Sequence, residues 1–260
     1  MPDSPGSAEF APCLSLVAPV YNEADNIARL AEEVERALAD YPSDWELILV
    51  DDGSTDATPA ELARAAASNP AIRTLRLRRN FGQTAAISAG IDAARGDVIV
   101  TIDADLQNDP ADIPKLLAKM AEGYDVVSGW RARRKDAFLS RTLPSRVANW
   151  IISRNTGLRL HDFGCSLKAY DRNVLRSFRL YGEMHRFLPA LCTWRGARVA
   201  EIPVNHRPRT AGASKYGIGR TTRVVLDLLT VKFLIEYSPQ PMRVFGGSGM
   251  LFGGAGLGMC

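Results

Sequence analysis

Short apolar segments that alternate with stretches of helical periodicity constrain the fold of this 260-residue chain more than any other feature. The predicted strands are residues 13–20, 45–50, 72–77 and 98–102. Between the first two strands, apolar residues recur at helical spacing from Ile27 to Leu38. Strands that alternate with helices predict an α/β fold, with a mostly parallel sheet, right-handed crossovers and helices on its faces. In such sheets, ligands bind beyond the carboxyl ends of the strands.

The fourth strand, residues 98–102, is uncharged and rich in β-branched residues, and it runs directly into Asp103-Ala-Asp105. Because side chains in an extended strand repeat with period two, we expect Asp103, Asp105 and Gln107 to face the same way. Mg²⁺ is typically held by one or two carboxylates together with substrate phosphates. The motif therefore predicts a site for Mg²⁺ or Mn²⁺ with Asp105 as the principal ligand. Asp109 is expected to cap the next helix instead.

The size and charge of the chain limit its domain number and its partners. With 46% hydrophobic residues, 260 residues are enough for one large domain, and a second full domain is not expected. The net charge of +3 is too small to predict nucleic-acid binding. The four cysteines form no CxxC pair and no histidine lies at ligand spacing, which argues against zinc and favours reduced thiols in a cytosolic setting.

The two ends of the chain differ from its middle. Residues 1–12 are polar without a signal-peptide pattern, and we interpret them as a disordered leader. Residues 218–243 form an amphipathic pattern whose basic residues suit anionic headgroups. Residues 244–260 are uncharged and Gly-rich, slightly short of the about 20 apolar residues that cross a bilayer, and indicate the start of a membrane helix; a disordered tail is the alternative. Lys232 and Arg243 precede this segment, which places the main domain in the cytoplasm.

Five motifs occur in order along the chain. They are APVYNE at 18–23, DDGSTD at 51–56, RNFGQ at 79–83, DADLQ at 103–107 and DFGCSLKAY at 162–170. Their order and spacing resemble the family-two inverting glycosyltransferases of GT-A fold, and within them the polyprenyl-phosphate group that includes dolichol-phosphate mannose synthases and bacterial relatives. The resemblance covers residues 14–240. It implies a Rossmann-like GT-A catalytic domain at 13–217, followed by juxtamembrane helices and the membrane segment.

The activity implied by this resemblance is inverting transfer of a sugar from a UDP- or GDP-linked donor to a polyprenyl phosphate. The implied setting is the cytoplasmic face of the inner membrane, with Mg²⁺ or Mn²⁺ as cofactor, and with self-association through the C-terminal helices if the membrane segment continues further. The implied nucleotide-sugar positions are Pro19, Tyr21, Glu23, Asp52, Arg79 and Asp103. The implied metal positions are Asp103, Asp105 and Gln107. The implied acceptor-phosphate positions are Arg131, Ser145, Arg146, Arg209 and Lys215.

The catalytic roles are expected to fall to Asp105, Arg146 and Asp162. Arginine forks and lysine charges suit a phosphate, so the basic loop at 209–215 is credible as an anion clamp without the resemblance. A polyprenyl phosphate, with a second pKa of about 6, is already anionic at neutral pH and needs no strong general base. For Asp162, three roles therefore stay open: orienting an arginine or the acceptor, acting as a base, or supporting the start of a strand.

Two other functions are compatible with parts of the pattern. A transferase that acts on a glycan or a lipid-linked oligosaccharide is one, although the chain lacks the many membrane spans expected of a polymerase. A non-catalytic module that binds nucleotide sugars is the other. That module would predict a damaged acidic motif or a missing basic loop, and both features are intact.

Overall fold

The computed structural model describes residues 13–132, 153, 157–178, 180 and 182–208, together with separate residues between 242 and 258. A seven-stranded sheet in the order β3-β2-β1-β4-β6-β5-β7 lies at its centre. The strands are β1 (Leu14–Val20), β2 (Trp45–Asp51), β3 (Ile72–Arg76), β4 (Val98–Thr101), β5 (Val126–Trp130), β6 (Lys168–Asp171) and β7 (Val199–Pro203). Neighbouring strands pair in parallel, except that β6 runs antiparallel to both β4 and β5. The predicted mostly parallel α/β sheet is confirmed.

Helices cover both faces of the sheet. They are α1 (Ala24–Ala37), α2 (Thr58–Ser68), α3 (Gln83–Ala93), α4 (Ile113–Ala121), α5 (Arg172–Arg176) and α6 (Leu188–Trp194), with 3₁₀ turns at Pro110–Asp112 and Met184–Arg186. Apolar side chains of α1, α2 and α4 join one core cluster, and those of α3, α5 and α6 join the cluster on the opposite face. The chain therefore forms three layers around one sheet.

The central strand β1 shows why the first apolar run is nearly continuous. Leu14, Leu16 and Ala18 are buried in one core cluster, whereas Val17 is buried in the other. A strand with helices on both faces has no solvent side and therefore no polar alternation. The polar residue Ser15 is accommodated because its hydroxyl donates a 2.7 Å hydrogen bond to the Glu46 carboxylate on β2.

In the sequence, Asn22 and Asp25 are both residue types that cap helices, and they lie at the start of the segment that forms α1. In the structure, Glu23 occupies the cap position, and its own side chain makes no capping hydrogen bond. Asn22 instead adopts a positive φ of 52°, which asparagine tolerates better than most residues. Its side-chain oxygen accepts a 2.9 Å hydrogen bond from the Thr55 amide. Asn22 is therefore used to join two loops and not to cap the helix.

In the sequence, Gly96 follows the helical segment that begins near Gln83 and suggests its C-terminus. The structure shows otherwise, because α3 ends at Ala93 and Ala94 is already extended. A Cβ on Gly96 would lie 2.6 Å from the Ser15 amide nitrogen and 2.7 Å from the Cys13 carbonyl oxygen. Glycine is required here because the chain entering β4 passes against the backbone of β1.

The expected membrane-proximal part lies mostly outside the described residues. This applies to the leader at 1–12 and to nearly all of the segment at 218–243. Within 244–260, separate residues such as Phe245, Gly249 and Gly254 are helical. Among the described residues, no helix combines the length and the apolar character needed to cross a membrane.

We expect Gly96→Ala to lower the free energy of unfolding by about 1–3 kcal/mol, because backbone atoms of β1 cannot move away from the new methyl group as a side chain would. Gly247→Ala is the control, since an added Cβ there meets nothing within 4 Å. Urea unfolding of both variants measures the difference. Equal destabilisation by the two substitutions would contradict the close-approach explanation.

Candidate active site

The loops that follow β1 and β2 are fastened to each other at the carboxyl edge of the sheet. The Asn22 amide donates to the Ser54 hydroxyl at 2.9 Å, and the Glu23 amide donates to the Thr58 hydroxyl at 2.9 Å. The Asp52 amide donates to the Val20 carbonyl at 2.8 Å. These bonds bring together the predicted nucleotide positions of the first two motifs, which are Pro19, Tyr21, Glu23 and Asp52.

Asp52 also holds the loop after β3. Its side chain is 3% exposed, and its two oxygens accept hydrogen bonds from the Phe81 amide at 2.8 Å and the Gly82 amide at 2.9 Å. Gly53 has φ 71°, and a Cβ there would lie 2.4 Å from the Arg79 carbonyl carbon. Each carboxylate oxygen can accept more than one hydrogen bond, so these contacts leave capacity for a ligand hydroxyl. Sequence reasoning missed this supporting role of Asp52.

Arg79 lies on the exposed rim of the same edge. Its guanidinium carbon is 4.5 Å from the centre of the Phe81 ring, and Phe81 is 54% exposed. A cation over an aromatic face is an attractive arrangement that fixes the arginine near the ring. The structure therefore presents a cationic and aromatic surface beside Asp52.

The acidic motif lies in a turn and not on a strand. β4 ends at Thr101, residues 104–105 form a turn, and Leu106 has a φ of 59°. Strand periodicity was the reason for expecting Asp103, Asp105 and Gln107 to face the same way. That reason is wrong, because these residues lie beyond the end of the strand. The turn still brings the two carboxylates close enough to interact, as the pKa of Asp103 shows. Burial and the charge of Asp105 raise that pKa above its ordinary value, against the opposing effects of Ser166, Arg131 and Arg186.

The two carboxylates have defined protein partners. The Gln83 amide group donates to Asp103 Oδ1 at 2.8 Å, and the Gln107 backbone amide donates to Asp105 Oδ1 at 3.2 Å. Within the described part of the chain, no group of three or more His, Cys, Asp or Glu side chains is arranged to hold a metal. Two neighbouring carboxylates fit Mg²⁺ or Mn²⁺ only if substrate oxygens complete the coordination, which is the usual arrangement for Mg²⁺.

The segment after β7 packs against this acidic loop. The Arg207 amide donates to the Gln107 carbonyl at 2.8 Å, and the Arg207 guanidinium lies 2.7 Å from Asp109 Oδ1. The Asp109 side chain also accepts a hydrogen bond from the Ala111 amide at 3.1 Å, so its predicted capping role is confirmed. The described part of this segment ends at Pro208, directly after Arg207, and therefore lies beside the acidic motif.

Arg131 and Asp162 form a bidentate pair. Arg131 Nε donates to Asp162 Oδ2 at 2.7 Å, and Arg131 Nη2 donates to Oδ1 at 3.0 Å. Asp162 is 2% exposed, and its Oδ1 also accepts from the Gly164 amide at 3.1 Å. Burial lowers the pKa of Arg131, but the bonds to Asp162 outweigh it and raise the pKa. Of the three roles left open for Asp162, this geometry favours orienting an arginine.

The 3₁₀ turn at Met184–Arg186 lies near the start of α3 and near Asp103. The Thr84 hydroxyl lies 2.6 Å from His185 Nδ1, and the charge of Arg186 acts on Asp103. Burial, Arg186 and Lys168 lower the pKa of His185 well below 6.5, so the imidazole is neutral at pH 7. No sequence pattern links Thr84 with His185, because they are 101 residues apart.

The other predicted acceptor positions cannot be placed. Ser145, Arg146, Arg209 and Lys215 lie outside the described residues. Among the predicted site residues that are described, the structure brings the nucleotide, metal and Arg131 positions to one edge of the sheet.

We expect Asp162→Leu to destabilise the protein by about 3–5 kcal/mol, because it leaves the mostly buried Arg131 charge without its partner. The double variant Arg131→Met with Asp162→Leu removes both charges and is expected to be more stable than the single variant. Urea unfolding of the single and double variants measures the coupling. If the free energy of unfolding lost in the double variant equalled the sum of the losses from the two single substitutions, the pairing of Arg131 with Asp162 would be contradicted.

Comparison with known proteins identifies the family. The model of glycosyl transferase family 2 matches residues 15–179. A dodecaprenyl-phosphate galacturonate synthase of Rhizobium johnstonii is 48% identical over 92% of this chain and 72% of its own length. An undecaprenyl-phosphate 4-deoxy-4-formamido-L-arabinose transferase of Pseudomonas fluorescens is 40% identical over 94% of this chain and 71% of its own length.

A solved structure supports the fold independently. Glucosyl-3-phosphoglycerate synthase of Mycobacterium tuberculosis, in complex with Mn²⁺ and UDP-glucose, matches with a TM-score of 0.67 at 21% identity and covers 88% of this chain and 84% of that chain. At this identity the likeness shows the GT-A-like fold alone. Because the family match spans more than half of the chain and a curated relative is 48% identical across most of it, the chain belongs to glycosyl transferase family 2.

Proposed function

We propose that this glycosyltransferase moves a sugar from a nucleotide diphosphate sugar to a polyprenyl phosphate, with inversion at the anomeric carbon. One observation carries the proposal: Arg131, held by both oxygens of Asp162, is close enough to Asp103 for its charge to oppose the rise in the pKa of that carboxyl. An anionic acceptor bound by Arg131 would therefore lie beside the carboxylates expected at the donor diphosphate. The relatives named for dodecaprenyl and undecaprenyl phosphate support this choice of acceptor.

The acceptor needs no general base. A polyprenyl phosphate, with a second pKa of about 6, is already ionised at neutral pH. Its oxygen attacks the anomeric carbon and forms the new C–O bond while the bond to the nucleoside diphosphate breaks, and the bonding electrons leave with the diphosphate. The contribution of Arg131 is to hold the attacking phosphate in position, which lowers the entropic part of the barrier. Asp162 keeps Arg131 in its orientation.

Asp103, Asp105 and Gln107 are the residues that we propose to hold Mg²⁺ or Mn²⁺. Such a cation, when bound, supplies positive charge that stabilises the departing diphosphate. The amide of Gln83 orients Asp103 for this task, through its 2.8 Å hydrogen bond. Burial and the charge of Asp105 raise the pKa of Asp103, and a cation held by both carboxylates would oppose that rise.

The nucleotide is proposed to lie at the loops after β1, β2 and β3. Tyr21, Glu23 and Asp52 are the candidates for the base and ribose, with Pro19 shaping the loop, and Arg79 lies on the rim near the phosphates. The hydrogen bonds from Asp52 to the loop after β3 support the proposal. A pocket built from three loops binds a ligand well only when those loops are fixed in position before binding.

We further propose that residues 13–217 form the catalytic domain and that residues 218–243 lie along the membrane, ahead of a membrane helix that begins at 244. Arg146 is proposed to grip the acceptor phosphate together with Ser145, Arg209 and Lys215. The high exposure of Met242, Phe245 and Met250 in the helical residues of this region supports contact with lipid or with another protein. With a lipid acceptor and a nucleotide-sugar donor, we propose that the reaction takes place at the cytoplasmic face of the membrane.

The direct test is to supply labelled UDP- and GDP-sugars with undecaprenyl phosphate, detergent and Mg²⁺ or Mn²⁺. We expect label in the lipid extract. Asp105→Asn should reduce transfer by about 100-fold or more, because charge stabilisation at the leaving diphosphate is lost. Asp92→Asn, which removes an exposed carboxylate from α3, is the control and should retain activity. Label in a soluble glycan with none in the lipid would contradict the proposed acceptor.

Arg209→Ala is expected to raise KM for undecaprenyl phosphate about tenfold, because a charge-assisted hydrogen bond to the acceptor phosphate is lost. Donor binding should be unchanged. Steady-state kinetics and calorimetric titration with the nucleotide separate the two effects, and Arg64→Ala on the exposed face of α2 is the control. An equal loss of nucleotide binding in Arg209→Ala would contradict its assignment to the acceptor.

A further inference from the structure

Lys168 is a buried lysine that the proposed reaction does not yet use. It is 3% exposed, and its Nζ donates a 3.0 Å hydrogen bond to the Phe163 carbonyl. Among the residues that the structure describes, it forms no salt bridge. Lysine is almost never fully buried unless it is paired, so a single carbonyl partner is an unusual arrangement. This position therefore needs a functional explanation.

The register of the sheet places Lys168 directly below the proposed site. In β6 it pairs with Thr101 of β4 on one side and with Ser128 of β5 on the other. β4 continues into the acidic turn with Asp103, and β5 continues into Arg131. Lys168 thus lies beneath the point where the donor carboxylates and the acceptor arginine approach each other.

Lys168 is also connected to Arg131 through a loop. Its partner Phe163 lies between Asp162 and Gly164, so the hydrogen bond holds the segment at residues 161–165 against the sheet. Asp162 in that segment binds Arg131 through both oxygens. Gly164 packs closely against the same guanidinium, since a Cβ on it would lie 3.2 Å from Arg131 Nη2. A change at Lys168 therefore reaches the orientation of Arg131.

Two arginines and one carboxylate act on the charge of Lys168. Burial is the main cause that lowers the pKa of Lys168 to about 8, and Arg186 and Arg131 lower it further, against the opposing effects of Cys165 and Asp162. Burial raises the pKa of Cys165 to about 11, so this neighbour is a neutral thiol at pH 7. His185, in the turn packed nearby, is neutral as well. Asp162 is the carboxylate that opposes the two arginines, and an anionic ligand bound near Arg131 would add to its effect and favour the charged form of Lys168.

We propose that Lys168 is a positioning residue for the acceptor phosphate, an inference that rests on the proposed function. Its ammonium holds the loop at 161–165 so that Asp162 aims Arg131, and its charge attracts the phosphate from below. Neither role requires Lys168 to touch the substrate.

Lys168→Met tests the proposal because it keeps the length of the side chain and removes both the charge and the hydrogen bond. At pH 7 we expect KM for undecaprenyl phosphate to rise about tenfold, with KM for the nucleotide sugar within about twofold of the unsubstituted protein. Lys168→Arg, which keeps the charge, should restore most of the acceptor affinity. Tyr170→Phe is the matched control, since Tyr170 is buried two residues further along the same strand. Equal changes in both KM values of Lys168→Met would overturn the proposal.

The pH dependence gives a second readout that a purely structural role would not change. The charged form of Lys168 is present below its pKa of about 8 and is lost as the pH rises through that value. The acceptor phosphate, with a second pKa of about 6, is already mostly doubly ionised at pH 7, so its own titration does not account for a rise in KM at higher pH. In the unsubstituted protein, KM for the acceptor should therefore rise between about pH 7 and 9.5, whereas Lys168→Met and Lys168→Arg should show no such rise.

Two outcomes separate the possible failures. In the first, the unsubstituted protein labels the lipid, and the Lys168→Arg variant shows the same rise in KM at alkaline pH as the unsubstituted protein. That result would overturn the role of Lys168 and leave the proposed function intact, and it does not depend on whether Lys168→Met folds. A protein that labels no polyprenyl phosphate from any donor would overturn both. Urea unfolding of Lys168→Met is expected to show at most a small loss of stability, because the Phe163 carbonyl loses its donor but burial already disfavours the charged lysine in the folded state.

Discussion

The parallel pairing of β1 with β2 on one side and β4 on the other is the interaction on which the site depends. Val20 is in register with Asp51, and Val17 is in register with Thr101, so the loops that follow all three strands emerge at the same edge. Motifs that are about 80 residues apart in the sequence meet there as a result. The register is maintained because β1 is buried on both faces, and a shift of one residue would exchange the side chains between the two cores.

Several charged side chains are buried at the carboxyl edge of the sheet, although buried charges are not needed for the stability of the fold. Asp52, Asp162 and Lys168 are all nearly inaccessible to solvent. Each is tolerated because hydrogen bonds replace water: two backbone amides for Asp52, the Arg131 fork for Asp162 and a carbonyl for Lys168. Such groups contribute little net stability, but they hold loops and charges in place before a substrate binds. A transferase that joins a diphosphate donor to a phosphate acceptor needs this preorganisation, because both substrates are anions that repel each other.

Most secondary structure was predictable because its signals are local. The first four strands were predicted to within about one residue of their observed ends, and the capping role of Asp109 was predicted as well. The failures also have local reasons. Gly96 looked like a helix terminator, but its requirement comes from the backbone of β1, which is remote in sequence. The acidic motif looked like the end of a strand, but Leu106 adopts a positive φ and the chain turns.

The sequence by itself determined the alternation of strands and helices, the α/β class, and the identity of the acidic, basic and glycine-containing motifs, because periodicity and residue type are properties of short segments. Only the tertiary structure decided which of these residues work together. Arg131 and Asp162 are 31 residues apart, and Thr84 and His185 are 101 residues apart. Such contacts depend on strand order and register, which arise from packing the whole sheet and leave no mark in the local pattern.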